Sequence, residues 1–331
     1  MREEVQRFRA AIYALPRYTK QFGPRRRTTS LPSRRYAVTM KGLTQHIGFK
    51  DPRMRAIVSC LTNSYGRFGA RGAIENIRAA GLEYLELPIR TAGAKSIFGD
   101  EPLVTTEAST ADLTAVQSLL SDHGVKLASC NITSGNPLQR DVVDITKHKL
   151  GIAAEFGVKL VVGGAGEADD AEQLAQLYTH LREIGDCAAT HGITYCFETH
   201  PGICVNHRYM LQTMEELQHP NLRINFDTGN ILYYNENIVV EVGLAKVSHY
   251  VKHLHLKDSQ GNPGEWYFPA LGYGGAVDFL QVLHIMRGCG FTGPYSLELE
   301  GIRGEPELSL AETQQRIIDS VDTLKSCGYF D

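Results

Sequence analysis

The chain has 331 residues, 43% of them hydrophobic, with 34 Lys/Arg against 37 Asp/Glu and a formal net charge of −3; it can bury a full core, as one barrel-sized domain or two smaller ones. No apolar run approaches the roughly 20 residues of a membrane span, and the N-terminal region lacks the compact apolar core of a secretory signal, so a soluble cytoplasmic protein is expected. Seven scattered cysteines without a C-x-x-C pair argue against a disulfide framework and a thiolate zinc site.

Charge is uneven along the chain. Residues 1–53 hold 13 Lys/Arg against Glu3, Glu4 and Asp51, a local balance of +10 that leaves −13 for the rest. PRRRTTSLPSRR (24–35) has no sustained hydrophobic period, so residues 1–54 are read as a basic, flexible extension of a catalytic domain over 55–331. A nucleic-acid tail and a targeting segment are alternative readings of it, and no chemistry is assigned to it.

From residue 56 onward, short β-rich runs alternate with amphipathic stretches. AIVSCL (56–61) precedes AIENIRAAG (73–81), LEYLEL (82–87) precedes LTAVQSLLSDHG (113–124), and KLASCN (126–131) precedes HKLGIAAEFG (148–157). KLVVGG (159–164) leads to EQLAQLYTHLREIGDCAATHG (172–192), and TYCFE (194–198), LRINFD (222–227) and VKHLHL (251–256) follow. VDFLQVLHIMRGCG (277–290) then precedes the last run, PYSLEL (294–299). Several stretches close on Gly just before the next run, as helix C-termini do. Eight units of this kind predict an α/β fold of the (β/α)8 TIM barrel type. No G-x-G-x-x-G follows the first run, which removes the main support for a dinucleotide fold, and GGAGEADD (163–170) reads as a tight turn.

In such a barrel the C-terminal strand ends share one mouth and supply the catalytic groups. Glu198 closes the fifth run, Asp227 the sixth, His255 stands late in the seventh and Glu298 late in the eighth. Their spacings are 29, 28 and 43 residues, the last enlarged by the loop GNPGEWYFPALGYGG (261–275). Three carboxylates at one mouth resist ionisation unless a cation sits among them. Glu198, Asp227, His255 and Glu298 are therefore expected to bind one divalent metal ion. Hard oxygens plus one imidazole favour Mn²⁺, with Mg²⁺ or Co²⁺ as alternatives, over a structural zinc site. Alternation in VKHLHLKD puts His253, His255 and Lys257 on one face, with His253 a layer lower and Glu300 at the rim.

FETHPG (197–202), NFDTGN (225–230), HLHLKD (253–258), LGYGGAVDF (271–279) and GFTGPYSLELEG (290–301) resemble the xylose isomerase-like barrel superfamily. The branch they are most similar to is that of sugar phosphate isomerases and epimerases, which includes ketose 3-epimerases and inosose dehydratase. The likeness covers the C-terminal half well, the first four strands mainly by layout, and the basic extension not at all. It implies the same four metal ligands. Ketose 3-epimerases usually carry histidine where Asn230 stands and arginine where Gly261 stands, two departures that speak against a simple free-ketose epimerase. Asn230 is kept as a substrate-binding candidate.

The expected activity is a metal-dependent isomerase or epimerase acting on a keto sugar or related polyol through a metal-stabilised enediolate. Glu198 and Glu298 are the catalytic acid–base pair. His200, Lys257, Asp258 and Glu86 are further substrate-binding candidates, with Lys257 and Asp258 as a rim salt bridge in the alternative reading. Trp266 is expected to wall the pocket or to contact a second subunit, which keeps a homo-oligomer open. The partner is a small carbohydrate, with neither nucleic acid nor membrane. The alternatives are an inosose dehydratase-like lyase, a metal-binding but inactive module, and an endonuclease IV-like nuclease, which needs more histidines and a basic groove.

Overall fold

The computed structural model describes residues 56–331; the extension expected over residues 1–54 lies outside them. Each of the eight predicted runs forms a strand. These are β1 (Ile57–Leu61), β2 (Tyr84–Pro88), β3 (Lys126–Asn131), β4 (Leu160–Gly163), β5 (Thr194–Phe197), β6 (Leu222–Asp227), β7 (Val251–Leu256) and β9 (Pro294–Leu297). They pair in parallel, in that order, and β9 closes on β1. The fold is a (β/α)8 TIM barrel. A separate antiparallel ribbon joins β8 (Tyr267–Phe268) to β10 (Gly301–Ile302), tying the loop after β7 to the loop after β9.

The outer layer comprises α1 (Gly69–Asn76), α2 (Thr110–Asp122), α3 (Arg140–Glu155), α4 (Ala171–Thr190), α5 (His207–Leu217), α6 (Asn230–Tyr233), α7 (Val240–Val247), α8 (Phe279–Gly288) and α9 (Leu310–Ser326). Their starts are written locally. Ser109 with Asp112 and Ser309 with Glu312 form capping boxes on α2 and α9, while Asp170, Asn206 and Asp278 cap α4, α5 and α8. Their ends fall where glycine punctuates the sequence: Gly124 and Gly192 turn back to the sheet at φ 64° and 63°. No helix of the described residues is long and apolar enough to cross a membrane.

Strand alternation divides the side chains into two sets. Leu85, Leu87, Cys130, Phe226, Leu254, Leu256, Tyr295 and Leu297 are buried in the apolar core between sheet and helices. The intervening residues Glu86, Ser129, Asn225, Asp227, His253 and His255 are equally buried but polar. Such a set survives burial only by mutual hydrogen bonding, and its members do bond to one another across the barrel. Two register shifts, at Leu85/Glu86 and at Ile224/Asn225, lie beside this polar interior. The second aligns Asn225 with His253 and Asp227 with His255.

Candidate active site

The four expected ligands converge at the C-terminal ends of β5, β6, β7 and β9. Glu198 and Glu298 each stand one residue beyond their strand, but both continue the ladder: their N–H groups donate to Gly163 O at 2.9 Å and to Leu256 O at 3.0 Å. The Nδ1 atom of His255 is the common centre. It lies 3.0 Å from Glu198 Oε2, 2.9 Å from Glu298 Oε2 and 3.9 Å from Asp227 Oδ2. Donor atoms of Glu198, Asp227 and His255 fall within 4.8 Å of one another.

Each group is aimed by its neighbours. Asp227 Oδ1 accepts the N–H groups of Gly229 at 2.8 Å and Asn230 at 2.7 Å, which leaves Oδ2 for the centre. Glu198 accepts from Thr199 N and from the Asn225 amide, at 3.1 and 2.8 Å. The Nε2 of His255 lies 3.0 and 3.1 Å from the two oxygens of Glu86. With Nε2 held on Glu86, the ring presents Nδ1 to the three carboxylates, the carboxylate–histidine arrangement that orients a metal-ligating imidazole. His253 is held a layer below by Ser129 Oγ at 2.9 Å and Asn225 Oδ1 at 2.8 Å.

Lys257 completes the cluster from above. Its ammonium is buried 2.9 Å from Glu300, 3.2 Å from Glu298, 3.4 Å from Asp227 and 3.1 Å from Asn230 Oδ1. The side chain lies against Gly229, where a Cβ would come within 2.5 Å of Lys257 Cγ, so only glycine fits at that position.

Five carboxylates (Glu86, Glu198, Asp227, Glu298 and Glu300) thus surround one lysine and two imidazoles. Burial pushes Asp227 up to about 6, with Glu298 adding to the rise and Lys257 opposing it. Burial also opposes the charged form of His255, but Glu198, Glu86 and Glu298 together hold its pKa well above the usual imidazole range. For Glu86, burial favours the neutral acid and the two histidines outweigh it, so its pKa falls well below the carboxylate norm.

Two buried oxygens, Asp227 Oδ2 and Glu298 Oε2, have no hydrogen-bond partner among the described residues. The cations of Lys257 and His255 are near them but not in hydrogen-bonding geometry. Orphaned, inward-facing carboxylate oxygens beside an oriented imidazole fit a divalent cation.

The other candidates distribute differently. Glu86 is fully buried among the histidines, where its carboxylate meets His255 Nε2. Asp258 does not pair with Lys257. Its buried carboxylate accepts from Ser259 N at 3.0 Å, Gly272 N at 2.9 Å and Val277 N at 3.3 Å, clipping the two ends of the long loop together. Gly275 packs against the same carboxylate, leaving no room for a Cβ. Asn230 reaches the site through Lys257. His200 is half-buried and packs edge-on against Tyr234, with centroids 5.6 Å apart. Trp266 donates its indole N–H to Glu300 O at 3.2 Å and packs against Phe268 and Tyr233. Sequence reasoning missed Asn225, although it shares the inward face of Asp227 at i−2. It also placed Glu300 at the rim, where the structure pairs it with Lys257.

A closed (β/α)8 barrel with a carboxylate–histidine cluster at its C-terminal mouth belongs to a recognisable class. The chain is a member of the xylose isomerase-like TIM barrel family, whose model matches residues 74–327. Among solved structures, the barrel is similar to an L-ribulose 3-epimerase, at 14% identity over 82% of this chain and 94% of that one, with a TM-score of 0.64. It is similar to the IOLI protein with a bound zinc atom, at 18% identity over 83% and 99%, with a TM-score of 0.64. It also resembles the probable 3-DHS dehydratase AsbF of Bacillus anthracis, at 17% identity over 81% and 98%, with a TM-score of 0.61. No curated protein matches the sequence.

Proposed function

We propose that this chain is a divalent-metal-dependent isomerase or epimerase acting on a keto sugar or related polyol by proton transfer. The observation that carries this reading is the pair of buried, unsatisfied oxygens on Asp227 and Glu298 beside the oriented Nδ1 of His255. Glu198, Asp227, His255 and Glu298 would hold the ion, with Mn²⁺ first and Mg²⁺ or Co²⁺ as alternatives. When bound, it would polarise a carbonyl and acidify the adjacent C–H.

The chain's own groups then manage the proton. Glu198 and Glu298 both reach the space around His255 Nδ1, so one can remove a proton from carbon and the same or the other can return it. Glu298 keeps an oxygen that no protein donor claims. The Lys257 ammonium, 3.2 Å from that carboxylate, is placed to hydrogen-bond a substrate oxygen as negative charge develops on it. His200 flanks the site, and Trp266 walls it through Glu300.

Lys257 also favours a second reading. A buried ammonium beside the base can protonate a departing β-hydroxyl, which would make the reaction a dehydration of a keto-inositol or keto-sugar. Asn230, in the place of the epimerase histidine, points the same way.

The test is a metal-reconstituted screen of keto sugars, keto-inositols and their phosphates in D₂O, followed by NMR. Deuterium entry at a carbon next to the carbonyl is expected, and Glu198→Gln and Glu298→Gln should each slow it by about 10²–10⁴-fold. A rising enone absorbance instead selects dehydration. Unimpaired exchange in either variant removes that residue from the proton-transfer role.

A further inference from the structure

Beside the carboxylate cluster, on the same face of the barrel, lies a cavity of about 440 Å³ walled by the loops after β1, β2 and β9 and by the start of α9. That volume is within the range of small-molecule sites. Glu300 belongs to both places. It lines the cavity, and its carboxylate accepts from Lys257, whose ammonium is 3.2 Å from Glu298. The floor is also stitched to the site: Ser64 Oγ donates to Leu297 O at 3.3 Å and accepts from Leu299 N at 2.9 Å, gripping both neighbours of Glu298.

The wall has two kinds of surface. One is apolar, formed by Phe68, Phe98 and Ile97, and at 78% exposure Ile97 is the most exposed large hydrophobic side chain among the described residues. The other is charged but internally neutral. Arg316 forks onto Glu305 at 2.8 and 2.5 Å, and Arg67 meets Glu307 at 2.9 Å.

This composition selects among occupants. A phosphate or carboxylate would find its cations already paired. An aliphatic chain would desolvate two ion pairs without replacing their hydrogen bonds. A ring with an apolar face and a hydroxylated edge satisfies both surfaces.

We propose that this cavity is the subsite for a second pyranose ring, so that the substrate is a keto sugar glycosidically joined to another sugar and not a free monosaccharide. The reacting sugar lies at the carboxylate cluster, and its partner ring stacks on Phe98 with its hydroxyls toward the Arg316–Glu305 pair. The inference rests on the proton-transfer reading of the neighbouring site.

Trp266 is the only tryptophan in the chain, and its indole is bonded to Glu300, so its fluorescence reports occupancy without turnover. Full-length protein would be titrated with matched pairs, D-fructose with isomaltulose and D-glucose with maltose, and with 6-O-benzyl-fructose. At least one disaccharide should bind 10-fold or more tightly than its monosaccharide. Phe98→Ala should erase that gain while leaving monosaccharide binding unchanged, and Arg316→Gln should reduce it. Equal affinity within both pairs overturns the subsite, as does a gain that survives Phe98→Ala. A benzyl group that outperforms the glucosyl group, with no effect of Arg316→Gln, overturns the pyranose assignment. Exchange in D₂O separates the two levels. A disaccharide that binds while no sugar exchanges with Mn²⁺ present sinks the proton-transfer reading and leaves the subsite. Monosaccharides that exchange without any disaccharide advantage do the reverse.

Discussion

Two fully buried lysines divide the molecule into contrasting regions. Lys257, just after β7, lies within 3.4 Å of three carboxylates. Burial disfavours its charge, yet Asp227, Glu298 and Glu300 overturn that and raise its pKa well above the usual lysine value. Lys149, in α3, offers its ammonium to one neutral acceptor, Thr133 O at 3.1 Å. Burial, with the nearby Arg90 acting in the same direction, brings its pKa down to about 8. Apart from Glu86 on β2, the carboxylates of the barrel interior are gathered at the β5–β9 side of the mouth. A cation there stabilises the fold, and one beneath the β3 side does not.

The largest expected effect tests the compensated lysine. Lys257→Met strands the buried carboxylates of Asp227 and Glu298 and the partly buried one of Glu300, and should cost about 3–5 kcal/mol of stability in metal-free protein, read from urea melts. Adding MnCl₂ should recover part of the loss, because the ion replaces the missing positive charge. A variant as stable as the parent breaks the contrast. Lys149→Met should move the other way, stabilising the protein by about 2 kcal/mol at pH 7, since an uncompensated charge is replaced by a packed apolar chain. The sign follows from linkage. The pKa of Lys149 is about 8 folded against 10.5 unfolded, so between these values the unfolded chain binds the extra proton. Its penalty grows as pH falls from about 10.5 to 8, reaching roughly 3 kcal/mol, and is constant below. The advantage of Lys149→Met over the parent should therefore shrink as urea melts are repeated toward pH 10. An advantage independent of pH would assign it to packing alone.

What the sequence disclosed, and what it withheld, follows the same division between local and cross-barrel information. Eight β runs with glycine-closed helices were legible because periodicity and caps are local. The convergence of Glu198, Asp227, His255 and Glu298 was legible because parallel strands must place their ends together. The roles of Glu86 and Asp258 were not. Glu86 meets His255 across 169 residues of sequence, beside a register shift that no run of letters announces. Asp258 was read, from its adjacency to Lys257, as a substrate-binding partner of that lysine or, in the alternative, as half of a rim ion pair. Adjacent residues near a strand end point to opposite sides, so Lys257 turned into the mouth and Asp258 into its own loop. The β8–β10 ribbon was invisible for a similar reason: two-residue strands carry no period.

The smallest expected effect sharpens the picture within the charged half. Glu86→Gln preserves volume and removes one charge from the polar interior. In the parent, Glu86 meets both His255 Nε2 and His253 Nε2, at 3.0 and 3.2 Å. A glutamine that keeps its carbonyl on His255 must offer its amide to His253, so the orientation of His255 survives while its Nδ1 becomes less basic. Metal affinity should fall about 10–100-fold, as for other outer partners of histidine ligands, measured by calorimetric titration with MnCl₂. Stability should change less than in Lys257→Met, because the neutral amide leaves no buried charge unmatched at the mouth. Unaltered Mn²⁺ affinity would show that Glu86 serves only as a core anion and that the aim of His255 is set by Asn225 instead, whose amide lies 3.0 Å from the same ring.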